Sequence, residues 1–165
     1  MGPSEGVIRS FPDRRTDHEI ELAVIIGHEV RRISPEEAPG CVAAYSIGLD
    51  MTVRGKEDRS MRKSVDSYSV LGPWLVTKDE IADPDNLTLT LRLNGEIRQN
   101  SNTRELIYDV STLISKCSDF YTLFPGDIIY TGTPAGVGPV QPGDTLECEI
   151  EGIGRMQVQV SGPRY

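Results

Sequence analysis

Glu19-Ile20-Glu21 places two carboxylates two residues apart. On a strand their side chains leave the same face, while Ile20, Leu22 and Val24 face the other way. Adjacent carboxylates repel one another and resist joint ionisation unless a cation lies between them. A third acid, Asp50, ends an apolar stretch that can run beside this strand. Three carboxylate oxygens suit a hard divalent ion, Mg²⁺ or Mn²⁺ with Ca²⁺ also admissible, and leave positions for water and a ligand. Taken alone, Glu-x-Glu more often marks a solvated strand face. Support comes from Tyr130-Thr131-Gly132-Thr133-Pro134-Ala135-Gly136-Val137-Gly138-Pro139, framed by Pro125-Gly126-Asp127 and Pro142-Gly143-Asp144. So much glycine and proline cannot continue a strand or a helix, and it forces a tight loop whose N–H groups are free to face a ligand. Acids and loop together read as a metal-assisted carboxylate site.

The elements that must hold these groups can be read from pattern. Asp127 to Tyr130 is a strand leading into the loop, and Leu22 to Val30, apolar and β-branched, is a strand with one buried side. Ser34-Pro35-Glu36-Glu37 carries a helix-start signature, and Pro39-Gly40 shortens the helix that starts there. Cys41 to Met51 passes from that helix into a strand, Thr52 to Ser69 is charged and irregular, and Gly72 to Val76 is a strand. Leu87, Leu89, Leu91 and Leu93 alternate with polar residues up to Asn94-Gly95, a two-residue hairpin turn, and Glu96 to Gln99 returns. Val110, Leu113, Ile114, Cys117, Phe120 and Tyr121 recur at helical spacing and predict a helix over Ser111 to Tyr121. Thr145 to Glu151 and Arg155 to Val160 are short alternating strands. The head, up to about Asp17, is expected to be poorly structured. The whole is an α+β, mostly β, single domain over residues 1–165.

The chain's 165 residues are enough to bury a core, and 38% hydrophobic with 25% charged residues is ordinary for a globular domain. A net charge of −8 argues against nucleic acid and against an anionic membrane surface as partners. It leaves open a small anionic ligand, whose charge a cation and a few basic side chains can offset locally. There is no apolar run of bilayer length and no signal pattern at the N-terminus, so a cytoplasmic setting is expected. Cys41, Cys117 and Cys148 form no Cys-x-x-Cys pair and read as buried, reduced thiols.

Several segments resemble motifs of the fumarylacetoacetate hydrolase family. They are Glu19 to Gly27, Gly48-Leu49-Asp50-Met51-Thr52-Val53-Arg54, and Lys63-Ser64-Val65-Asp66 before Leu71-Gly72-Pro73-Trp74. Asn94 to Gln99, Ser101-Asn102-Thr103 and Gly132 to Gly138 come next, in the family's order. The resemblance implies a mixed β-sandwich or roll with two or three short helices, and Glu19, Glu21 and Asp50 as the metal ligands. It implies that Arg54, Lys63, Thr133 and Gly132 line the substrate pocket, and that the protein is a homodimer. The family's substrates are small 2-oxo or 2,4-dioxo carboxylates, hydrolysed at a C–C bond, isomerised or decarboxylated, often in aromatic-compound breakdown. The shared physics is a metal-stabilised enolate. Lys63 is the candidate for polarising the keto oxygen or delivering a proton, Arg54 a partner for a carboxylate, and Thr133 with the loop N–H groups a holder for the acid's other end.

Each role has a plainer rival. Arg54 and Lys63 sit in a charge-rich stretch where solvation is the rule, and Thr133 can close its own turn. Asp66 is expected to brace its loop, His18 to point away from Glu19 to the surface, and His28 receives no role. Family members also carry an upstream lid with a histidine and a glutamate that activate water. About eighteen residues precede Glu19 here and none matches, so the chain reads as lidless, a fragment or a short form. That weighs against hydrolysis more than against metal binding. The Gly55 to Arg62 loop resembles that of dienedioate isomerases and oxo-tricarboxylate decarboxylases. The alternative is a catalytically silent member that binds an oxo acid or a partner subunit.

Overall fold

The fold is that of a computed structural model, which describes residues 1–163. One sheet has five strands, in the order β1 (Val7–Ile8), β12 (Gly154–Ser161), β11 (Thr145–Ile150), β7 (Thr88–Leu93) and β8 (Glu96–Asn102). A second has four, β6 (Ser69–Thr77), β4 (Val42–Asp50), β3 (Ile20–Ile26) and β9 (Ile128–Tyr130). A third joins β10 (Gly138–Pro139), β2 (Thr16–His18) and β5 (Thr52–Val53). The helices among the described residues are α1 (Ala38–Cys41), α2 (Arg59–Lys63) and α3 (Val110–Phe120), with a few 3₁₀ turns. The expected mostly-β architecture is what is found.

Alternation drives the five-stranded sheet. Leu89, Leu91 and Leu93 on β7, Leu146, Cys148 and Ile150 on β11, and Met156, Val158 and Val160 on β12 are all buried, with more exposed residues between them. They form one core with Leu22, Val24, Ile47 and Leu49 of the four-stranded sheet, each such side chain contributing roughly 1.5–3 kcal/mol on burial. The hairpin at Asn94-Gly95 forms as expected, and Asn94 adopts the left-handed conformation the turn needs.

Several expectations change. β3 is buried along its whole length rather than on one side, because β4 and β9 flank it and its second face is covered as well. Part of that cover is the Tyr130 ring, which crosses Gly48 so closely that a Cβ there would lie 2.8 Å from the ring. The Tyr130 hydroxyl then donates to the Val70 carbonyl at 2.7 Å. The head is ordered: β1 pairs in parallel with β12, and Val7 is fully buried. A two-residue ladder among glycines and prolines is too short to show in a pattern. The segment from Thr52 to Ser69 is not irregular throughout, since it holds β5 and α2.

Ser34 to Glu37 forms a turn, and the helix begins only at Ala38. Pro39 has no N–H to donate back to Pro35, so a regular helix cannot be closed from Pro35 onward. In α3, Asp109 caps the start by accepting from Thr112 N–H at 2.7 Å. The buried positions are Val110, Ile114 and Ser118, whereas Phe120 and Tyr121 are 78% and 67% exposed. Ser118 displaces the expected aromatics because its hydroxyl accepts from Ile33 N–H and donates to Ser115 O, tying the helix to the chain before α1. Cys41 and Cys148 are buried thiols and Cys117 is half-buried; burial pushes Cys148 up to about 12.

Candidate metal centre

The paired strands β3 and β4 leave the four-stranded sheet at the same level. Ile20 pairs with Leu49, the next link is Asp50 N–H to Glu19 O at 2.9 Å, and beyond it Asp17 pairs with Thr52 in the small sheet. The three acids sit at this handover. Glu19 lies between β2 and β3, Glu21 comes next on the same face, and Asp50 ends the neighbouring strand. Their ligand oxygens lie within 4.8 Å of one another, on residues only 7%, 4% and 8% exposed. Burial, opposed by the Gly132 N–H and reinforced by the charges of Asp50 and Glu19, pushes Glu21 up to about 8. Burial also raises Asp50, against the pull of Lys63. A dry cluster of hard oxygen donors that retains a proton is short of positive charge, and a hard divalent cation fits it.

Both loop cations reach this cluster, so neither is merely solvated. Asp58 caps α2 by accepting from Ser60 N–H, and the helix ends with Lys63 at the acids. Lys63 Nζ donates to Glu19 Oε2 at 2.6 Å and to Asp50 Oδ2. Burial alone would lower its ammonium, but the two carboxylates outweigh that and leave it above the ordinary lysine value. Arg54 donates from Nε to Asp17 Oδ2 at 2.6 Å and from Nη2 to Glu19 Oε1 at 3.1 Å. Arg15 Nε holds the other oxygen of Asp17, also at 2.6 Å. Arg15, Asp17, Arg54, Glu19, Lys63 and Asp50 thus form a line of alternating charge. Asp17, 1% exposed, is a site residue that the sequence reading missed. Its signal was there: Asp17, Glu19 and Glu21 recur at every second residue.

The glycine loop closes the other side. Gly132 N–H donates to Glu21 Oε2 at 2.5 Å, and the Thr131 hydroxyl donates to Leu22 O at 3.0 Å. The Thr133 hydroxyl donates to Ile20 O and accepts from Gln99 Nε2, both at 2.8 Å. This corrects one expectation: Thr133 does not close its own turn, because its hydroxyl proton goes to Ile20 O. Its backbone N–H, like those of Ala135, Gly136 and Val137, has no acceptor among the described residues and is a donor the loop can offer beside Gly132. Gly136, at φ +98°, packs against Arg98 O in a space no Cβ could enter.

His18 is a second correction: it is fully buried, not at the surface, because β10 covers β2 and pairs Gly138 with it. Its Nδ1 lies 3.1 Å from Gln99 Oε1, and burial holds the imidazole below its ordinary value. Asp66 is exposed and braces nothing among the described residues; the neighbouring Ser67 does so, accepting from Ile8 N–H at 2.8 Å. His28 is exposed. An apolar cavity of about 470 Å³ touches the loop at Gly132 and Thr133 but none of the three acids. Leu22, in its wall, faces away from Glu21 on β3, so this cavity is not the metal cluster's own cleft.

The family model "Fumarylacetoacetate (FAA) hydrolase C-terminal" matches residues 1–161. The chain belongs to the fumarylacetoacetate hydrolase family, and its fold is that family's. It is 56% identical over 159 residues to maleylpyruvate hydrolase of Aquipseudomonas alcaligenes, a match covering 96% of this chain and 55% of that protein. Maleylpyruvate hydrolase from Sphingobium sp. SYK-6, solved with manganese(II) and pyruvate, superposes with a TM-score of 0.94 at 41% identity. That match covers 99% of this chain and 61% of the other. 5-Carboxymethyl-2-hydroxymuconate delta-isomerase from Mycobacterium smegmatis matches with a TM-score of 0.90 at 35% identity, over 99% of this chain and 66% of that one. The chain thus spans less than two thirds of the length of either hydrolase, and just under two thirds of the isomerase.

Proposed function

We propose that this chain carries the metal centre of a divalent-metal-dependent enzyme that hydrolyses the C–C bond of a small acylpyruvate. The observation that carries the proposal is the convergence of Glu19, Glu21 and Asp50 on one buried point. The substrate class is supported by the likeness to maleylpyruvate hydrolases, one of them solved with manganese and pyruvate. A Mg²⁺ or Mn²⁺ ion held by the three carboxylates would supply the positive charge that stabilises a developing enolate oxygen. The chain's own groups do the rest. Thr133 N–H binds the substrate carboxylate, and Arg54, whose Nη1 is unengaged among the described residues, is a second candidate. Lys63 holds a proton at Nζ beside the cluster. As the bond between the acyl carbon and pyruvate C3 breaks, C3 takes a proton and the acyl carbon takes the hydroxyl of water, giving a carboxylic acid and pyruvate.

Isomerisation or decarboxylation of a 2-oxo dicarboxylate is the second reading, favoured by the likeness to the mycobacterial isomerase. It uses the same metal and lysine without the water. A homodimer belongs to the proposal too, supported by the exposed Phe120, Tyr121, Phe124 and Ile128 near the edge strand β9. So does a cytoplasmic setting, supported by three unpaired cysteines.

The test is a substrate panel of acylpyruvates, oxaloacetate and a hydroxy-dienedioate, before and after chelation and with Mn²⁺ restored. Activity should vanish with chelator and return with metal, and Asp50→Asn should weaken Mn²⁺ binding at least about tenfold. Indifference to chelator, or unchanged Mn²⁺ affinity in Asp50→Asn, would refute the proposal. Oxalate binding without turnover would point to a silent, ligand-holding member.

A further inference from the structure

Gln99 is fully buried and every hydrogen-bonding position of its amide is used. Its Oε1 accepts from Ile20 N–H at 3.2 Å and contacts His18 Nδ1 at 3.1 Å. Its Nε2 donates to the Thr133 hydroxyl at 2.8 Å and to the Pro134 carbonyl at 2.9 Å. Two partners leave no freedom of orientation. Ile20 N–H can only donate and the Pro134 carbonyl can only accept, so the amide cannot be flipped. It follows that His18 donates from Nδ1, while its Nε2 has no partner among the described residues. Gln99 therefore ties two other stretches of chain to its own strand: His18 to Ile20, which flanks Glu19, and the loop that carries Gly132 and Thr133.

We propose that Gln99 is a positioning residue that sets the distance between the acid cluster and a free donor of the loop, the Thr133 N–H. The inference rests on the proposed function only in taking that N–H to meet a carboxylate. No ligand oxygen of Glu19, Glu21 or Asp50 touches Gln99; their partners are Arg54, Lys63 and Gly132. Losing the amide should thus release the loop while leaving the metal ligands in place. A fully satisfied buried amide is also a group that no other side chain of similar size can replace, because both ends must keep opposite hydrogen-bonding character.

The test measures two affinities on the same protein by calorimetry: Mn²⁺ alone, then oxalate added to the Mn²⁺-loaded form. Gln99→Met, which keeps the volume and removes all four contacts, should bind Mn²⁺ within about threefold of the parent and oxalate roughly tenfold more weakly or worse. With Mg²⁺ in place of Mn²⁺, the Thr133 amide signal in ¹⁵N spectra should respond to oxalate in the parent and not in the variant. Should Gln99→Met fail to fold, Gln99→Glu keeps the side chain's length and removes the Nε2 donors to Thr133 and Pro134, and the same pattern is expected of it. A variant that binds Mn²⁺ and oxalate as the parent does overturns the proposal. A parent that binds no Mn²⁺ would instead refute the metal-centre reading and is thereby distinguished.

Discussion

Glu21 gives the sharpest quantitative expectation. In protein freed of metal, its carboxyl is held near 8 against an ordinary value of 4.5, chiefly by burial. Between those two values the folded state binds one proton that the unfolded state does not. Its contribution to stability is therefore complete at low pH and is lost as pH rises through the folded value. Between pH 6.5 and 8 that loss amounts to about 1.6 kcal/mol, approaching about 1.4 kcal/mol per unit at the acid end. Burial lowers His18, so its titration makes stability rise with pH and cannot produce this falling slope. Urea melts in chelator at pH 6.5, 7.25 and 8 would read the slope directly. Glu21→Gln mimics the neutral acid, keeps an acceptor for Gly132 N–H, and should remove the slope. Saturating Mg²⁺ should flatten it in the parent, because the cation takes the proton's place. A parent whose stability stays level or rises across this window, or a Glu21→Gln curve parallel to it, would refute the picture of a proton-retaining cluster.

Other substitutions probe the rest of the site. Lys63→Met removes the cation lying between Glu19 and Asp50 and should cost about 1–2 kcal/mol in metal-free urea melts, between the surface and buried ion-pair limits. The same change should lower turnover by a factor on the order of 100 if Lys63 delivers the proton. Asp17→Asn keeps the shape but releases Arg54 from its brace on Glu19, and calorimetry should show Mn²⁺ affinity falling roughly tenfold with the fold intact. Gly48→Ala drives a methyl into the Tyr130 ring and should destabilise the chain by about 1–3 kcal/mol in urea, with metal affinity spared if the ring can tilt away.

Much of the framework was open to reading from residues alone. Alternation located β7, β11 and β12, and Asn94-Gly95 located the hairpin, because these depend on side chains two or three positions apart. The two glutamates and Asp50 were legible for the same local reason. Asp17 had the same every-second-residue signal but fell in a head taken to be unstructured. His18 was assigned to the surface because alternation tells which residues share a face, not whether another strand lies over it. Gln99 sits in a polar hairpin arm, Glu96 to Asn100, where an amide looks solvated. Only the approach of the glycine loop buries it.

The amino-acid order by itself determined the chemistry on offer: three acids, two basic groups in a charged stretch, and a loop rich in free N–H groups. Tertiary structure decided which of these meet. Lys63 finds Glu19 across 44 residues and Gly132 finds Glu21 across 111. It also decided that the Thr133 hydroxyl is given to Ile20, and that burial raises Glu21 well above the ordinary carboxyl range. Those outcomes depend on burial and on which distant partner reaches a group first, and such quantities exist only once the chain has closed on itself.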